Sequence, residues 1–167
     1  MDDRIHGGFT LPELLVTLTI IGILAGVAAP GMFRVIESTR LRAAAESLSS
    51  DLRLARELTL QTGTRHGVKF SRLANGRWCW VIAKDLSVLC STTSSGQNGA
   101  VISDDYPGIQ LLQINFAGTP NAIFDAPRGT ARAGRAILGN SHSKVSVLLS
   151  MLGRTRICSD DGLYPAC

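Results

Sequence analysis

Gly7–Pro30, GGFTLPELLVTLTIIGILAGVAAP, decides how the rest of the chain is read. From Phe9 to Ala29 it is a predominantly apolar run of 21 residues, interrupted by one carboxylate, Glu13, and preceded by a short polar leader. That length suits a membrane-spanning helix. A carboxylate within such a helix costs roughly 2.5–3.5 kcal/mol on insertion scales, which marks Glu13 as a functional residue. The small-residue pair Gly7-Gly8 precedes the apolar block, whereas a secretory signal peptide is cut after its apolar block. A cut there leaves the hydrophobic helix on the mature protein.

Gly8-Phe9-Thr10-Leu11-Pro12-Glu13 closely resembles the prepilin peptidase site of type IV pilins and type II secretion pseudopilins: a glycine, an aromatic, and glutamate as the fifth mature residue. The resemblance implies cleavage after Gly8 by prepilin peptidase, N-methylation of Phe9, and burial of the helix in a filament core among other pilins. It also implies that Glu13 pairs with the terminal ammonium of a neighbouring subunit. A cationic partner offered only inside the assembly favours docking in one register. Pro30 falls where pilins carry a helix-kinking proline.

The 167 residues leave room for one globular domain beyond a long N-terminal helix. The formal charge is +4, and 14 of the 17 basic residues are arginine, the side chain suited to bidentate phosphate contacts. The leader carries only Arg4, against Arg34, Arg40 and Arg42 on the far flank, which inverts the positive-inside bias. Long domains translocate largely regardless of charge, so the expected location is the inner membrane, single-pass, with a periplasmic C-terminal domain and later a place in a surface pilus. Four cysteines, Cys79, Cys90, Cys158 and Cys167, allow three pairings. An oxidising compartment makes disulfides the expectation, and proximity favours Cys79 with Cys90 and Cys158 with Cys167.

Past Pro30 the apolar pattern becomes one-sided. Leu41, Ala45, Leu48, Leu52, Ala55 and Leu58 recur at steps of three and four, with Arg42, Glu46, Arg53 and Glu57 elsewhere on the surface. This predicts an amphipathic helix over 31–63, laid on a sheet and stopped at Gly63. From His66 onward the signals are strand and turn. Segments 68–73 and 77–83 flank the hairpin dipeptide Asn75-Gly76. A second turn at Lys84-Asp85 would set Cys79 opposite Cys90. Residues 91–99 read as an exposed polar loop. Strands follow at 111–116 and 122–124, then a final meander at 136–138, 145–150 and 154–159. The expected organisation is a leader (1–8), a membrane and filament-core helix (9–30), an amphipathic helix (31–63) and a globular β domain (64–167). Its fold class is α+β, type IV pilin-like, with the long helix packed on an antiparallel sheet.

Between Ala126 and Cys158 the charged residues are Arg128, Arg132, Arg135, Lys144, Arg154 and Arg156, with no Asp or Glu. Such a block is an electrostatic footprint for a polyanion, although a basic stripe also serves as a solvated face or guards a sheet edge. If 154–156 is extended, its period of two puts both guanidinium groups on one face, and Gly153 turns the chain tightly with its backbone exposed for close approach of a phosphate. No recognition helix accompanies these arginines, so base reading is not expected.

Phe124-Asp125, the Arg/Gly-rich connection after it and the last hairpin resemble the GspH pseudopilins and the FimU and FimT minor pilins. Gly153-Arg154-Thr155-Arg156 fits the GRxR pattern associated with FimT proteins, the DNA-binding minor pilins of natural transformation. The resemblance implies non-specific binding of extracellular DNA through these residues during uptake. Two alternatives stay open: a FimU-like subunit priming pilus assembly at the tip, or a GspH-like secretion pseudopilin. Asp160 and Asp161 are too few for a calcium site, so no metal or cofactor is expected. His6, His66 and His142 pair with no recognisable nucleophile or carboxylate in sequence, and catalysis is not expected.

Overall fold

The structure, a computed structural model, describes residues 10–73, 75–84, 86 and 100–167, and for 27–31 the backbone alone. Gly8, Phe9, Cys90 and the 91–99 loop lie outside the described residues, as does the side chain of Pro30. Two units adjoin in sequence at Ile36/Glu37. Helix α1, Leu11–Thr62, begins in the first and ends in the second.

In the first unit every described side chain from Leu11 to Gly26 is exposed, with Glu13 in the opening turn. The Thr17 hydroxyl donates to Leu14 O, and that of Thr19 to Leu15 O and Val16 O. Both threonine hydroxyls are thus satisfied by carbonyls of the helix itself. Among the described residues, no helix is long and apolar enough to cross a membrane. The side chains described in this stretch stop at Gly26, before the apolar run ends.

In the second unit α1 buries Leu41, Ala44, Ala45, Leu48, Leu52 and Ala55. Each buried leucine contributes roughly 1.5–3 kcal/mol relative to exposure. The last position of the stripe is Thr59 rather than Leu58: Thr59 is fully buried, its hydroxyl donating to Ala55 O and accepting from the His66 amide. Gly63, at φ +63°, ends the helix with its amide on Thr59 O.

Among the described residues nine strands follow: β1 (His66–Arg72), β2 (Trp78–Lys84), β3 (Val101–Ile102), β4 (Gln110–Phe116), β5 (Asn121–Asp125), β6 (Thr130–Ala131), β7 (Gly134–Gly139), β8 (Lys144–Leu149) and β9 (Thr155–Ser159). They form two antiparallel sheets instead of one, β3-β2-β1-β5-β6 and β4-β7-β8-β9. Both sheets contribute to one core with α1, in which Phe70 stacks on Phe116 across the sheets at 5.8 Å between ring centres. The Asn75-Gly76 hairpin forms, closed by the Leu73 amide on Arg77 O, with Gly76 at φ +80°.

Strand β2 runs between β3 and β1. Trp78, Cys79, Trp80, Val81 and Ala83 are all buried, so the strand is covered on both faces and shows no inside-outside alternation. Cys79 pairs with Ser71 of β1 on one side and Ile102 of β3 on the other. Asp85 and Cys90, on which the expected turn and cross-strand pairing depend, lie outside the described residues. Cys79 is nonetheless disulfide-bonded.

Candidate functional site

The buried stripe of α1 has a neighbour that decides where the arginines go. Arg42, Glu46, Ser49, Arg53, Arg56 and Leu60 recur at alternating steps of four and three and form a second stripe beside the first. Its long-range contacts land at one edge of the β domain. Arg42 lies 5.9 Å over the Tyr164 ring, and Tyr164 donates its hydroxyl to Glu46 Oε1 at 2.8 Å. Ser49 Oγ and Arg53 Nε both donate to Thr155 Oγ1, at 3.2 and 3.0 Å. Arg56 Nε donates to Gly129 O at 3.3 Å. On the opposite flank of the helix Asp51 accepts from Trp80 Nε1 at 2.7 Å, tying α1 to the other sheet.

Arg154 and Arg156 are both exposed but occupy different surroundings. Arg154 precedes β9 and lines a groove of about 420 Å³ together with Arg53, Arg56, Glu57, Leu60, Gly153 and Thr155. Arg156 lies within β9, on the edge of its sheet, and pairs with Leu148, which pairs in turn with Arg135. Residues paired across a ladder share a face, so Arg135 and Arg156 project from the same side about 10 Å apart. Arg156 Nη2 also donates to Ala166 O at 2.9 Å. The tail bearing Ala166 is closed by the Cys158–Cys167 disulfide.

Gly153 turns the chain at φ +72°, as the sequence predicts. Its backbone is not exposed, however. Gly153 is buried, and a Cβ built on it would meet Gly129 O at 2.5 Å and Arg56 Nε at 2.8 Å. The glycine accommodates Arg56 and a neighbouring turn, not an incoming phosphate.

Arg128, Arg132 and Lys144 are exposed as well. Arg128 adjoins Gly129 in the β5–β6 turn, Arg132 follows β6, and Lys144 opens β8 with its amide on Asp161 Oδ2. Among the described residues, no salt bridge engages any of these six cations or Arg53 and Arg56. Sequence reading left Arg53 as a surface residue and did not single out Arg56. The four-three stripe flanking the apolar one is the signal that marks them.

His142 gains partners that the sequence does not reveal. Its Nδ1 lies 2.7 Å from Ser141 Oγ and 3.1 Å from Glu37 Oε2, and Ser141 Oγ also donates to Glu37. One ring nitrogen faces both groups, so no proton relay passes through the imidazole from carboxylate to hydroxyl. The cluster is exposed and joins the β7–β8 turn to α1.

Residues 44–153 match the family described as type II transport protein GspH. The chain belongs to the GspH family. Residues 3–29 of this GspH-family chain also match the prokaryotic N-terminal methylation motif. No curated protein matches the full sequence. Among solved structures, the type IV minor pilin FimU of Pseudomonas aeruginosa is similar at 16% identity and TM-score 0.50, over 74% of this chain and 100% of that one. The minor pseudopilin EpsH of the Vibrio cholerae type 2 secretion system is similar at 13% identity and TM-score 0.51, over 72% and 97%. At these identities the likeness carries the fold alone: α+β and pilin-like.

Proposed function

We propose that this GspH-family protein is a FimT-like minor type IV pilin that holds extracellular DNA during natural transformation. In this reading prepilin peptidase cuts after Gly8, Phe9 is methylated, and residues 9–29 anchor the chain in the inner membrane. Glu13 then pairs with a neighbouring subunit as the chain enters a pilus alongside other pilins, with Pro30 at the kink. The observation that carries the DNA reading is the set of six cations, Arg128, Arg132, Arg135, Lys144, Arg154 and Arg156. All are exposed, and among the described residues none is engaged by a carboxylate in a salt bridge. Charges left uncompensated on a surface make a field that attracts a polyanion.

The contacts are to phosphates, so binding is indifferent to base sequence and falls steeply with salt. Every residue of the buried core lies in the unit Glu37–Cys167, so a fragment from Ser38 retains the fold. That fragment should bind duplexes of unrelated sequence, and Arg154→Gln with Arg156→Gln should flatten the dependence of log affinity on log salt. Equal affinity and slope for both proteins would reject the assignment. Deletion of the gene should abolish DNA uptake while leaving surface pili; loss of pili with normal uptake per pilus would instead favour tip priming.

A further inference from the structure

The groove between α1 and the β8–β9 turn is lined by three arginines, Arg53, Arg56 and Arg154, and by one acidic residue, Glu57. Arg53 and Arg56 are each held by a single atom. Their Nε donors are spent on Thr155 Oγ1 and Gly129 O, while their Nη groups have no partner among the described residues. A guanidinium is a planar fork of five donors, so a hydrogen bond at Nε restrains the group and leaves its Nη donors available. Groups ordered before binding lose less entropy when a ligand arrives.

We propose that this groove is the principal phosphate seat of the DNA-binding surface, formed by Arg53 and Arg56 of the helix together with Arg154. The inference rests on the DNA reading above and changes its geometry. The two arginines of the GRxR segment do not act as one pair. Arg154 belongs to the groove, whereas Arg156 stands in the row with Leu148 and Arg135 and has one donor committed to Ala166 O. Three cations against one carboxylate exceed what a single monovalent anion neutralises. The cationic track also continues at Arg128, next to the Gly129 carbonyl that anchors Arg56, and at Arg132 beyond it. A repeating anion such as the phosphodiester backbone fits that continuation.

The test uses the Ser38 fragment and a duplex of arbitrary sequence over a salt series. Arg53→Gln with Arg56→Gln should weaken binding roughly tenfold or more at 0.1 M salt and make the log–log slope less negative by about 1.8, the weight of two phosphate contacts. Because those substitutions also remove anchors to Thr155 and Gly129, Glu57→Gln provides a second reading. Glu57 accepts a hydrogen bond from Gln61 on the same helix, so the substitution leaves the sheet contacts untouched. Removing this carboxylate should tighten binding by roughly two- to fivefold. Unchanged affinity and slope for the double variant, or an indifferent Glu57→Gln, would overturn the groove while Arg154→Gln with Arg156→Gln could still support the DNA reading. Absence of binding by the unaltered fragment would overturn both.

Discussion

Arg56 lies where a side chain on Gly153 would go. The helix residue and the turn residue are 97 positions apart in sequence, yet a Cβ on Gly153 would come within 2.8 Å of Arg56 Nε. The same Cβ would meet Gly129 O at 2.5 Å, and the glycine sits at φ +72°. Gly153→Ala therefore combines left-handed backbone strain with a backbone collision that no rotamer relieves. It should destabilise the Ser38 fragment by about 2 kcal/mol, a drop of roughly 5–10 °C in melting temperature. A variant melting with the unaltered protein would show that the turn is slack enough to move away from Arg56.

Local and non-local information divide cleanly in this chain. The buried stripe of α1, the stop at Gly63, the Asn75-Gly76 hairpin and the final meander were legible because each is set by spacing or turn chemistry within a few residues. The separation into two sheets was not. Strand β5 inserts beside β1, and β4 leaves for the other sheet, choices that depend on partners tens of residues away. Cys79 illustrates the same limit: its strand neighbour on one side is Ile102 of β3, which arrives from beyond residue 99 and is not signalled by the turn residues around it. The candidate site was half legible. Its arginines after residue 126 stand out as a block without carboxylates, but Arg53 and Arg56 reach them only through folding.

Asp51 should set part of the pH dependence of stability. Burial pushes its carboxyl above the ordinary 3.8, with the hydrogen bond from Trp80 pulling the other way. The native state then holds this proton more tightly than the unfolded chain. Its contribution is fully present below about pH 3.8 and is lost as pH rises through the raised folded value. Asp51→Asn keeps an oxygen to accept from Trp80 Nε1 and removes the charge. In urea unfolding from pH 4 to 7, the variant should gain stability relative to the unaltered fragment as pH increases; a constant difference would mean that Asp51 titrates normally.

Tyr164 should be the last tyrosine to ionise. Desolvation, the hydrogen bond to Glu46 and the charge of Glu46 raise it to about 12, against a smaller opposing effect of Arg42. A raised folded value means that its contribution persists below pH 10 and disappears as pH climbs through about 12. Absorbance near tyrosinate's maximum should resolve two steps, the later one absent in Tyr164→Phe. Glu46→Gln should move that step downward, since a neutral amide no longer repels phenolate. A single step with two tyrosines' amplitude would place the Tyr164 hydroxyl free in water.

The C-terminal disulfide should matter to both stability and the arginine beside it. Cys158 and Cys167 are nine positions apart, and closing so short a loop stabilises by about 2.5 kcal/mol at most in the chain-entropy account. The closed tail also carries the carbonyl that accepts from Arg156 and the ring beneath Arg42. Cys167→Ser should therefore lower the melting temperature by several degrees, and it should release Arg156 without moving Arg154, which precedes the far end of β9 and donates its amide to Ser150 Oγ. Fast amide exchange confined to residues 160–167 and to the β9 edge, with the core protected, is the expected signature. Exchange spreading into α1 around Glu46 and Ser49 would instead mean that the tail secures the helix to the sheet, and that the disulfide acts on the whole unit.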